Sequence, residues 1–303
     1  MRTLATCITT LLIGLTLTAQ ADDLPHRDDF TMNAIGGGDF RAYVMDHVAE
    51  DDGWAQAMRT LGVLHNHMHE MMTQFAHHAM EETDQGERVP GFEQRISGGE
   101  WSDYRAALEE NADTGSWPDM VQITEIMHDR VHHMMVSAVF YDHASRRRDA
   151  DLEGDYLDGR APHPQRDTLP EAASLKVEFP APDAFRERVW RDPIDGERWH
   201  AALQKVTVFE VLLQDLMTQF AQYGMAKLDS ACRPLEGASR VSGEDWSAYA
   251  DRVSACEETE WQHLVRITGL AHDRAQHMAL ALLRYDAERH DRETPEAMDP
   301  TGQ

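Results

Sequence analysis

From Trp54 to Ala79 the chain sets Trp54, Met58, Leu61, His65, Met68, Met72, Phe75 and Ala79 at alternating steps of three and four. That spacing lines one face of an α-helix and predicts a long amphipathic helix with its stripe turned inward. A second long run begins at Pro118, a residue suited to a helix's first turn, and its face is Val121, Thr124, His128, Val131, Met135 and Ala138. Between the two, Ser97-Gly98-Gly99-Glu100 reads as a turn followed by a helix start, and Trp101, Tyr104 and Leu108 mark a short helix.

The same pattern then recurs. Met72-Thr73-Gln74-Phe75-Ala76 reappears as Met217-Thr218-Gln219-Phe220-Ala221, an offset of 217 − 72 = 145. Trp54 matches Trp199, Ile96-Ser97-Gly98 matches Val241-Ser242-Gly243, and Tyr104 matches Tyr249 at that offset. Further on, His128-Asp129-Arg130 matches His272-Asp273-Arg274, now at 272 − 128 = 144. The second pair of stripes is Trp199, Leu203, Val206, Glu210, Leu213, Met217, Phe220 and Gly224, then Val265, Thr268, His272, Ala275, Ala279 and Leu282. A helix pair cannot cover its own apolar face, so two copies of a long/short/long helix unit are expected to pack as one all-α four-helix bundle. The expected organisation is a first repeat over 39–148, a linker rich in Asp, Pro and Gly over 149–183, a second repeat over 184–292 and a disordered tail over 293–303.

Upstream of the repeats, Met1-Arg2, an apolar stretch from Leu4 to Leu17 and Ala19-Gln20-Ala21 before Asp22 have the form of a secretory signal peptide, residues 1–21, cut after Ala21. A flexible lead-in over 22–38, containing Gly36-Gly37-Gly38, follows. A periplasmic or secreted location is therefore expected, with no membrane insertion. The 28 basic against 54 acidic residues, a net charge of -26, repel nucleic acid and suit solvation in strong salt, as in halophilic proteins. In an oxidising compartment Cys232 and Cys256, the two cysteines left after cleavage, are expected to form a disulfide.

The informative positions are the polar ones on the apolar stripes. His65, His128, Glu210 and His272 stand near mid-helix, one on each long helix, where burial without a partner costs several kcal/mol. One turn further on, His69 and His132 complete two His-x-x-x-His pairs, a spacing that lets both side chains of a pair share one ion. Their second-copy counterparts are Gln214 and Gln276, so one asymmetric metal site at the interface of the halves is expected, with His65, His69, His128, His132, Glu210 and His272 as ligands. If the helix midpoints are level, His69 and His132 share a height while His65 and His128 lie about 5 Å apart. Two ions, or one ion with histidines around it, would then account for all six. Nitrogen and oxygen donors admit Zn, Cu or Fe. Asp129 with His133, and Asp273 with His277, are expected as local i,i+4 ion pairs. His67 faces away from His65 and His69, and Met68, Met72 and their neighbours read as core filling.

In this arrangement the chain resembles the general class of His/carboxylate helical bundles that includes hemerythrin-like and ferritin-like proteins. It lacks the Glu-x-x-His pairs of ferritin-like di-iron sites. No Cys-x-x-Cys-His is present for covalent haem, and P-loop, Gly-x-Ser-x-Gly and His-Glu-x-x-His motifs are absent. The alternatives to a metal protein are a non-covalent haem-b bundle, with two core histidines or a His with Met68 or Met72 as axial ligands, and a cofactor-free helical interaction or stress protein.

Overall fold

The computed structural model describes residues 36–48, 53–82, 95–110, 116–146, 189, 197–233, 240–256 and 259–293. The signal peptide, the 149–183 linker and the tail beyond 293 lie outside the described residues. Those described are all-helical, with no strand among them. In chain order they form α1 (Gly37–His47), α2 (Gly53–Glu82), α3 (Gly98–Glu110), α4 (Ser116–Arg146), α5 (Glu197–Lys227), α6 (Gly243–Val253) and α7 (Thr259–Glu293). A 3₁₀ turn, Ser230–Cys232, follows α5. Helix α1 begins at Gly37, inside the segment expected as a flexible lead-in.

The four long helices are neighbours through their apolar stripes, and their aromatic ends show how they run. Near the start of α2, Trp54 meets Tyr141 at the end of α4, Tyr223 at the end of α5 and Trp261 at the start of α7, with ring centroids 5.0, 5.1 and 6.5 Å apart. At the opposite end His78 of α2 stacks on Trp199 of α5 at 4.7 Å and on Trp117 of α4 at 5.5 Å, while Tyr285 of α7 closes the group. Helix α2 therefore runs antiparallel to α4 and α5, and α7 runs antiparallel to both as well. Trp54, Trp117, Trp199 and Trp261 are all buried, and truncating any of them to alanine is expected to cost about 3–5 kcal/mol.

Local chemistry repeats between the halves. Ser97 and Glu100 exchange side-chain and backbone hydrogen bonds at the start of α3, and Ser242 and Asp245 form the same capping box at the start of α6. The Trp101 indole N–H donates to the Val121 carbonyl at 3.1 Å, and that of Trp246 to Val265 at 3.0 Å. Ile96 N–H donates to Thr73 Oγ1, and Val241 N–H to Thr218 Oγ1, each at 3.1 Å. Each short helix is thus bolted to both long helices of its own copy.

The expected Cys232–Cys256 disulfide is present and joins the turn after α5 to the end of α6. No helix among the described residues is long and apolar enough to cross a membrane.

Candidate metal centre

His65 and His69 on α2 face His128 and His132 on α4. One ring nitrogen from each lies within 4.8 Å of the other three, a separation at which one ion can be shared, so the cluster is compatible with a metal site. The closest approaches are Nε2 to Nε2: His65 to His69 and His65 to His132 at 3.2 Å, and His132 to His128 at 3.1 Å. Four nitrogens at zinc-ligand distance from one ion stand about 3.3 Å apart in a tetrahedron.

The antiparallel register makes this possible, and it differs from the register expected. His65 is level with His132 and His69 with His128, with ring centroids 4.6 and 4.9 Å apart, whereas the diagonals His65–His128 and His69–His132 measure 6.3 and 6.4 Å. The two His-x-x-x-His pairs therefore lie directly opposite one another, and the four rings form a closed square. A single ion can reach all of them, and two ions are not needed.

Contacts behind the rings hold their nitrogens in place. His69 Nδ1–H donates to the Ile96 carbonyl at 3.0 Å, which leaves its Nε2 lone pair pointing into the square. Ile96 is itself fixed because its N–H donates to Thr73 Oγ1, whose hydroxyl donates to the His69 carbonyl at 2.7 Å. The Asp129 carboxylate stands 3.6 Å from His128 Nδ1. Backbone presses on two of the rings: a Cβ on Gly37 would lie 2.5 Å from His65 Cε1, and one on Gly98 would lie 2.5 Å from His128 Cε1. Only glycine lets the first turns of α1 and α3 sit directly on those imidazoles. Gly98 was legible as part of a turn, but its pressure on His128 was not.

Burial favours the neutral form of His65 and His69. His65 is 5 % exposed, and burial, followed by the imidazoles of His132, His69 and His128, lowers its pKa to about 2. Burial first and His128 second lower that of His69 to about 4, against the opposing effect of its hydrogen bond to the Ile96 carbonyl. Burial therefore keeps His65 and His69 neutral near neutral pH. Lone pairs crowded together without protons are the electronic condition for metal ligation.

Glu210 and His272 are buried but are not members of the four-histidine group. The four grouped histidines lie between α2 and α4, whereas Glu210 stands on α5 and His272 on α7. His67 turns away as expected, and its Nε2–H donates to the Lys205 carbonyl of α5 at 2.8 Å. The i,i+4 pairing expected of Asp129 with His133 gives way to contacts with neighbours: His133 Nδ1 lies 2.8 Å from Arg130 Nη1, and His277 bonds to Arg274.

Compared with protein-family models, with curated proteins and with solved structures, the chain matches none.

Proposed function

We propose that this is an exported metal-binding protein, a four-helix bundle of two tandem helical units, which holds one transition-metal ion between α2 and α4 through His65, His69, His128 and His132. The observation that carries this reading is the closed square of four imidazole nitrogens within 4.8 Å of one another in a buried place. Neutral nitrogen donors suit Zn, Cu or Fe over Mg or Ca, and affinity order favours copper over zinc. The four rings pack edge to face at 4.4 to 4.9 Å, which fills the space that a haem would need between them and favours a bare ion. A disulfide in the second half and the N-terminal sequence support export.

The test is titration of metal-free protein with Zn²⁺ and Cu²⁺ by calorimetry, with Co²⁺ absorption reporting the geometry. The expected result is one tight equivalent, a raised melting temperature through linkage, and a loss of about a hundredfold or more in affinity in His65→Ala/His132→Ala. Less than roughly a tenth of an equivalent bound, with no change in melting temperature, would refute the reading.

A further inference from the structure

The second half repeats the scaffold of the metal centre with different donors. At the positions of His65, His69, His128 and His132 stand Glu210, Gln214, His272 and Gln276. The surroundings are retained. A Cβ on Gly243 would lie 2.3 Å from His272 Cε1, as one on Gly98 would press on His128. The Asp273 carboxylate stands 3.8 Å from His272 Nδ1, as Asp129 does beside His128. Thr218 bonds both the Gln214 carbonyl and the Val241 N–H, as Thr73 does with His69 and Ile96. Glu210 and His272 are 9 % and 8 % exposed.

From this we infer that the second half carries its own divalent-cation site of harder character, with Glu210 and His272 as principal ligands and the amide oxygens of Gln214 and Gln276 completing the set. The inference rests on reading the first half as a metal centre. One carboxylate, two amide oxygens and one imidazole form a mixed oxygen-rich donor set, which suits manganese(II) better than the all-nitrogen square does. Asp273 stands on the Nδ1 side of His272, and Gln276 Nε2 lies 3.5 Å from its Nε2. Turning that amide by half a revolution presents its oxygen to the space beside His272 Nε2. The two halves then divide cations by hardness: the first takes a zinc- or copper-like ion, the second a manganese-like one.

The experiment measures free Mn²⁺ by its electron paramagnetic resonance signal in the full mature chain, in strong salt so that surface carboxylates are screened. Wild type and His65→Ala/His132→Ala are expected to bind one Mn²⁺ each, and Glu210→Gln/His272→Gln to bind it at least tenfold more weakly while keeping the tight Zn²⁺ equivalent. The near-isosteric single variant Glu210→Gln, checked for helicity by circular dichroism, serves if the double variant does not fold. In Glu210→His/Gln214→His/Gln276→His a second tight Zn²⁺ equivalent is expected, because the scaffold around His272 matches that around His128. No Mn²⁺ bound by wild type, or undiminished binding in Glu210→Gln, overturns the inference. Failure of the first-half reading registers separately, as absence of a tight Zn²⁺ equivalent in wild type.

Discussion

At the scale of single residues, the glycines behind the histidines are as informative as the histidines. Gly98→Ala places a methyl group where the His128 ring now sits, and the ring must swing out of the square. Displacing one of four ligands is expected to weaken metal binding by about 10- to 100-fold, the range typical of outer-shell changes. Calorimetric titration of the folded variant checks this, and wild-type affinity would show that the ring relaxes without leaving the ion. Thr73 acts one step further out. Removing its hydroxyl in Thr73→Val leaves the Ile96 N–H without this acceptor, so a smaller loss in the same assay is expected, accompanied by a lower melting temperature.

At the scale of elements, the short helices work as braces, and each hangs on its N-terminal cap. In Ser242→Ala the Asp245 amide loses its acceptor, and about 1 kcal/mol of stability should go with it, read from denaturant unfolding. The equivalent Ser97→Ala has a further consequence, because α3 carries Gly98 against His128 and directly follows the Ile96 carbonyl that orients His69. A fall in metal affinity is expected for Ser97→Ala but not for Ser242→Ala, and the contrast separates bracing of the site from general stability. The disulfide spans 24 residues and secures α6 to the end of α5. Loop-closure arguments assign such a bridge about 3 kcal/mol, so reduction should lower the melting temperature while leaving the first-half Zn²⁺ site occupied.

At the scale of the whole molecule, buried histidines and surface carboxylates make stability depend on pH and salt in opposite parts of the structure. Burial, with Arg289 nearby, lowers the pKa of His78 to about 4, and burial, with Arg274 nearby, lowers that of His277 to about 3. In the unfolded chain both titrate near 6.5, so the unfolded state binds more protons as pH falls below that value. Stability of the metal-free protein should therefore decline as pH is lowered from about 6.5 toward 4, and level off in these two groups only below their folded values. Thermal melts across that range check the direction. A net charge of -26 implies self-repulsion that added salt screens, so the melting temperature should rise between about 0.1 and 1 M NaCl, over which the Debye length shrinks from about 10 to 3 Å. A flat or falling salt response would count against the acidic surface as a destabilising field.

The helical class and the two His-x-x-x-His pairs could be read from the chain because periodicity and spacing are local properties: a stripe from Trp54 to Ala79 or a pair four residues apart needs no knowledge of what lies opposite. The disulfide was legible because Cys232 and Cys256 are the two cysteines outside the apolar N-terminal stretch, which leaves one pairing. Which polar groups share a place was not legible. His65 meets His132 because α2 and α4 run antiparallel with a particular axial shift, and one helical turn of shift decides whether four rings close a square or spread over two sites. Glu210 and His272 fall outside the four-histidine group because they stand on α5 and α7, and which helices present their polar positions to one another is an outcome of helix packing that no residue spacing within a single helix encodes.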